Sequence, residues 1–179
     1  MKKLIVIISL IGLASNLTRA QEIETIEAKY SGKPIIQMTL NNKKTWVLLD
    51  TGSEYTVLDS GAKDKFNFYV QPFSNKNINV SGLGSTHNKL METNGAQINF
   101  GYVRLRGITY AFDLTPIVKS IHNRTGKRIT AIIGTHMMRN YGFVIDMGEN
   151  TASITVKPKK KKKQNDKSSE EFIIAKNAK

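Results

Sequence analysis

Between Lys33 and Val156 the apolar residues come in short runs, broken by Gly, Asn, Pro or Ser at roughly every 8 to 12 positions. A chain punctuated in this way cannot lay down long helices. It must bury its apolar residues by stacking many short strands, so the pattern predicts an all-β barrel or sandwich. Pro34 to Leu40 alternates through Ile36, Met38 and Leu40; Asn41-Asn42 is a turn signal, and Thr45 to Leu49 resumes as the second strand of a hairpin. Tyr55 to Leu58, Ile78 to Val80, Lys89 to Met91, Ala96 to Phe100, Val103 to Leu105 and Ile108 to Phe112 continue the β pattern. Ser60 to Phe66 is expected as a brief helix capped by Ser60, and Pro116 to Asn123 as a helix with Thr115 as N-cap and proline at N1. Ile129 to Ile133 reads as a buried strand, His136 to Tyr141 as a helix capped by Thr135 and closed by Gly142, and Phe143 to Val156 as a last hairpin turning at Gly148-Glu149-Asn150.

The two ends read differently. Lys2 and Lys3, the apolar stretch Leu4 to Ala14 and the small residues around Arg19 form a secretory signal peptide over residues 1–20. Eleven apolar residues make only about 16 Å of helix, short of a ~30 Å hydrocarbon core. The remaining 159 residues are long enough for one domain with a real core. Export to the periplasm or the medium is therefore expected. At the other end, residues 157–179 carry nine Lys against Asp166, Glu170 and Glu171, the composition of a disordered tail. Weak attachment to an anionic surface and plain solvation are both open to it. No aromatic residue interleaves the lysines, so no specific nucleic-acid site is expected. Leader and tail hold +3 and +6 of the formal +13, which leaves residues 21–156 at +4.

Composition excludes several chemistries. There is no Cys, hence no disulfide, thiolate nucleophile or iron–sulfur cluster. His87, His122 and His136 lack metal-binding spacing, so no metal and no cofactor are expected.

The most informative stretch is Val47-Leu48-Leu49-Asp50-Thr51-Gly52-Ser53. An apolar strand delivers a carboxylate to the mouth of a core, followed by a hydroxyl, a glycine and a second hydroxyl. Read alone, this is also a tight turn, with Asp bonding its own backbone. Further on, Ile132-Ile133-Gly134 precedes the short helix and the closing hairpin.

Together, these two motifs resemble the signatures of the retropepsin-like aspartic proteases, and their order and spacing match over roughly residues 30–156. The resemblance implies a closed acid-protease barrel with one or two short helices, forming a single lobe over residues 21–156. It implies an aspartic endopeptidase with Asp50 as the catalytic residue and Thr51, Gly52 and Ser53 as its active-site loop. Ile132, Ile133 and Gly134 would support that loop, and Gly82-Leu83-Gly84 would be the flap tip over a peptide substrate. Since the chain has one Asp-Thr-Gly, and Asp146-Met147-Gly148 reads as a turn, the resemblance implies a twofold homodimer that shares Asp50 from each subunit. Thr51 would bond the partner's loop, Gly52 would offer its N–H to the carboxylate, and the Ser53 hydroxyl would donate to Asp50 and pull activity toward lower pH. Specificity is expected from apolar pockets. His136 departs from bacterial relatives, which often carry an acidic residue there. A catalytically silent peptide-binding module on the same fold is the alternative.

Overall fold

The computed structural model describes residues 23–73, 79–82 and 85–156. The expected leader, the lysine-rich tail, Ile78 of an expected strand, and Leu83 and Gly84 of the expected flap tip lie outside the described residues. The strands are β1 (Glu24–Lys29), β2 (Ile35–Leu40), β3 (Lys43–Leu49), β4 (Thr56–Asp59), β5 (Tyr69–Gln71), β6 (Asn79–Gly82), β7 (Ser85–Lys89), β8 (Met91–Asn94), β9 (Ile98–Phe100), β10 (Val103–Leu105), β11 (Thr109–Phe112), β12 (Ile129–Ile133), β13 (Val144–Asp146) and β14 (Thr151–Val156). Three helices accompany them: α1 (Lys63–Phe66), α2 (Thr115–Thr125) and α3 (Thr135–Tyr141). The residue pattern led to all three, where the resemblance implied one or two.

Nine strands form one sheet in the order β10-β9-β2-β3-β12-β4-β11-β8-β5; β1-β14-β13 and β6-β7 form two smaller ones. The fold is mostly β; the large sheet runs from β10 to β5, and the closure expected of a barrel is not seen among the described residues.

The centre of the large sheet positions everything that follows. β12 runs parallel to β3, with Ile132 opposite Leu48 and Ile133 opposite Leu49, and antiparallel to β4 on its other side. A strand paired on both edges and covered on both faces is mostly apolar, and every residue of β12 is buried. Ala131 and Ile133 enter one apolar cluster with Val47, Leu49, Phe66 and Met137. Ile129 and Ile132 enter a second with Ile35, Val57, Leu114 just before α2, and the α2 residues Val118 and Ile121. A register shift between Ile129 and Ala131 accounts for the change of phase along the strand. Burying each such side chain contributes roughly 1.5–3 kcal/mol. The polar exceptions at this centre satisfy one another: the Thr45 and Thr130 hydroxyls meet at 2.6 Å.

Turn chemistry follows the sequence closely in places. Asn41 and Asn42 both take positive φ, at 47° and 64°, as the β2–β3 turn requires. Gly142 closes α3 in the left-handed region, φ 61°. Helix caps differ from expectation. A 3₁₀ turn at Ser60–Ala62 precedes α1 and is capped by Asp59, whose carboxylate accepts the Gly61 N–H at 3.2 Å, where Ser60 was expected. At α2 the Thr115 N–H donates to Asp113 Oδ1 at 2.9 Å, so Asp113 does the work assigned to Thr115. In both, an Asp one or two residues upstream reaches the free N–H first. α3 likewise has no side-chain cap from Thr135.

Candidate active site

Asp50 follows the last residue of β3, and its N–H donates to the Ile133 carbonyl at 3.1 Å, extending the β3–β12 pairing by one bond. The chain then turns. Ser53 N–H returns to the Asp50 carbonyl at 3.1 Å, and Gly52 N–H donates to Asp50 Oδ1 at 3.0 Å. A Cβ at Gly52 would lie 3.3 Å from this carboxylate oxygen, a tight contact that the glycine avoids. The carboxyl group is half-buried, fixed on one oxygen by the backbone, between exposed Thr51 and Gly52 and the buried strand behind.

The loop is stitched to the chain around Gly134. Thr135 N–H donates to the Ser53 carbonyl at 2.8 Å and His136 N–H to the Glu54 carbonyl at 3.2 Å. These are the first N–H groups of α3, which have no partner inside the helix; the loop supplies one. Gly134 N–H donates to the Thr56 hydroxyl at 3.2 Å. Gly134 itself is buried so tightly that a Cβ would lie 2.7 Å from the Glu54 carbonyl oxygen and closer still to that of Tyr55. Thr56 was not singled out in the sequence; a buried hydroxyl opening a strand was the available sign.

One expected contact is not made. The Ser53 hydroxyl donates to the Tyr55 carbonyl at 3.0 Å, not to the Asp50 carboxylate. With its N–H already committed to the Asp50 carbonyl, Ser53 has its side chain turned along the loop, and the carbonyl two residues on is the nearer acceptor. Thr51 is exposed and borders a shallow cleft of about 350 Å³ with Thr135, Met138 and Arg139. Ile132, Ile133 and Gly134 are buried behind the loop. Gly82 ends β6 opposite Ser85 of β7. Asp146 lies elsewhere and acts as a turn: its Oδ1 accepts the N–H groups of Gly148 and Glu149, both at 2.9 Å.

Beyond Ser53 the structure assembles a group that the sequence did not reveal. Tyr55 packs edge-on against Tyr110 (ring centroids 5.3 Å apart) and against His136 (5.8 Å), and Tyr110 meets Phe73 at 5.8 Å. His136 Nε2 lies 3.3 Å from Glu54 Oε1. Burial, then Tyr55, Glu54 and Glu92 in that order, pushes the Tyr110 phenol above its ordinary pKa.

The chain is similar in fold to solved retropepsin-like aspartic proteases. The EIAV protease complexed with the inhibitor HBY-793 aligns at 17% identity over 63% of this chain and 90% of that one, with a TM-score of 0.45. A retropepsin-like aspartic protease from Rickettsia conorii aligns at 17% identity over 75% and 92%, TM-score 0.47. The retroviral protease-like domain of Ddi1 from Leishmania major aligns at 12% identity over 70% and 90%, TM-score 0.45. At these identities the likeness is one of fold. No protein-family model and no curated protein matches the sequence.

Proposed function

We propose that this chain is an aspartic endopeptidase that acts as a twofold homodimer, with Asp50 of each subunit facing one water molecule. The observation that carries the reading is the Asp50 carboxyl group: it stands half-exposed at the end of a buried strand, held on one oxygen by the Gly52 N–H, in a chain with a single Asp-Thr-Gly. Two such carboxyls about 3 Å apart would repel by roughly 5 kcal/mol at an effective dielectric of ~20 if both were ionised. One proton is therefore kept on the pair, which titrates as a unit. The ionised member takes a proton from the water, whose oxygen attacks the scissile carbonyl carbon, while the protonated member gives its proton to the carbonyl oxygen. Protonation of the amide nitrogen and cleavage of the C–N bond then release acid and amine.

The hydrogen bonds around Gly134 support this role. Four bonds, three of them backbone to backbone, tie the loop to residues 133–136, and catalysis of this kind depends on holding the carboxyls in place before substrate arrives. Gly82-Leu83-Gly84 is proposed as the flap tip, Thr51 as the contact between the two loops, and residues 1–20 as a removable export signal.

The deciding experiment is cleavage of an unstructured protein between pH 3 and 7 by wild type and Asp50→Asn. The variant should lose about 10²–10⁴-fold in rate. Equal cleavage by both would remove Asp50 from the chemistry. Sedimentation of the active protein tests the assembly, since a strictly monomeric active enzyme contradicts the shared pair. Sequencing the N-terminus of exported protein tests the signal.

A further inference from the structure

Four rings from four separate segments form one continuous row: Phe73, Tyr110, Tyr55 and His136, with successive centroids 5.8, 5.3 and 5.8 Å apart. The row begins directly beyond the Asp50 loop, since Ser53 bonds the Tyr55 carbonyl. Two clefts lie along it, one of about 370 Å³ at Tyr55 and His136, the other of about 520 Å³ at Phe73, and they share Gly107, Ile108 and Tyr110 as a common wall. Among the described residues on the walls, Glu92 is the one acidic side chain, placed opposite Tyr110 in the β8–β11 register. Glu54 stands behind His136 at the other end of the row. Among the described residues, no lysine or arginine lines either cleft.

We propose that this groove is a specificity subsite for a lysine or arginine side chain of the substrate, laid against the ring of Tyr110 with its charge toward Glu92. The proposal deepens the proteolytic reading and rests on it for the identity of the substrate as a peptide. Its chemistry comes from the groove itself. A long basic side chain has an apolar stem that suits an aromatic wall and a cationic end that suits a ring face and a carboxylate. Half-buried rings lower the local dielectric, so Glu92 attracts a cation more strongly there than at an open surface. Glu92 Oε2 accepts the Gln71 amide at 3.0 Å, which orients the carboxylate, and its other oxygen makes no hydrogen bond among the described residues. Glu54 and Glu92 both act on the Tyr110 phenol, so their fields meet in this groove. An acidic side chain would be repelled, and a purely apolar one would leave the carboxylate without a partner.

The test uses the full chain and sets of unstructured peptides identical except for Lys, Gln, Glu or Phe at one scanned position. The quantity read is the ratio of kcat/KM for the Lys peptide over the Gln peptide. Wild type should show a ratio of about ten at one position, carried mostly by KM, and Glu92→Gln should cut it at least about fivefold. Gln at position 92 can keep the bond to Gln71, and exposed Glu54→Gln supplies a second variant, expected to lower the ratio further. Cleavage with no position favouring Lys or Arg, a preference for Phe, or a ratio that neither variant moves overturns the inference and leaves proteolysis standing. If nothing is cleaved, fluorescence polarisation with the same labelled peptides reads the groove without chemistry. Tighter binding of the Lys peptide that Glu92→Gln removes would then keep the groove while proteolysis fails. Equal binding of the Lys and Gln peptides overturns the groove as well.

Discussion

Gly134 lies against the Tyr55 carbonyl so closely that no side chain fits between them, and this single approach locks the end of β12 to the loop that carries Asp50. The atoms in the way are backbone, which cannot rotate aside. Gly134→Ala must therefore push β12 and the start of β4 apart, breaking the bond from Gly134 N–H to Thr56. The expected loss is about 3 kcal/mol, or roughly 10 °C in Tm. Urea unfolding of wild type and variant measures it; a variant as stable as wild type would mean the strands can part there without cost.

Ser53 gives a prediction opposite to the one its position in the motif suggests. Its hydroxyl serves the Tyr55 carbonyl, so Ser53→Ala should cost about 1 kcal/mol of stability. The pH profile of peptide cleavage should keep its position. A displacement of the acid limb by about one unit would mean that the hydroxyl bonds the Asp50 carboxylate during the reaction.

Asp146 and Asp50 each precede a glycine by two residues, but their surroundings separate them. Asp146 spends one oxygen on two turn N–H groups, and its chemistry ends there. Asp146→Asn, which can keep those bonds, should retain cleavage within about twofold and lose less than about 1 kcal/mol of stability. Parallel assays beside Asp50→Asn decide the matter. Loss of activity in both variants at unchanged stability would place a second carboxylate of the same chain in the chemistry.

Asp113 should make stability depend on pH at the acid end. The Thr115 hydroxyl first, and then its backbone N–H, hold the Asp113 carboxyl below its ordinary value of 3.8. A carboxyl whose pKa is lower folded than unfolded contributes stability above the unfolded value and loses it as pH falls through the folded one. The contribution is therefore present at neutral pH and fades below about pH 4. Its size is small, because the group is exposed and screened. Thermal unfolding from pH 2 to 6 should show wild type and Asp113→Asn converging as pH falls. Curves that stay parallel would remove the charge from the capping of α2.

Where the governing physics is local, the sequence by itself determined the outcome. The Asn41-Asn42 turn, the positive φ of Gly142 and the turn at Asp146 follow from residues that favour those backbones in any context. The all-buried strand Ile129–Ile133 is likewise legible, because five consecutive residues without charge fit only a covered strand. Tertiary structure decided what depends on distant partners. β1 is polar enough to give no strand signal, and it becomes a strand because Glu24 to Lys29 pair with Val156 to Thr151 at the other end of the described chain. The direction of the Ser53 hydroxyl was settled by which acceptor the folded loop brings nearest. The row from Phe73 to His136 draws its rings from four segments that lie apart in sequence, at Tyr55, Phe73, Tyr110 and His136. A one-dimensional pattern records what each residue prefers; which side chains meet across the sheet is fixed only when strand register is chosen, and that choice belongs to the whole core at once.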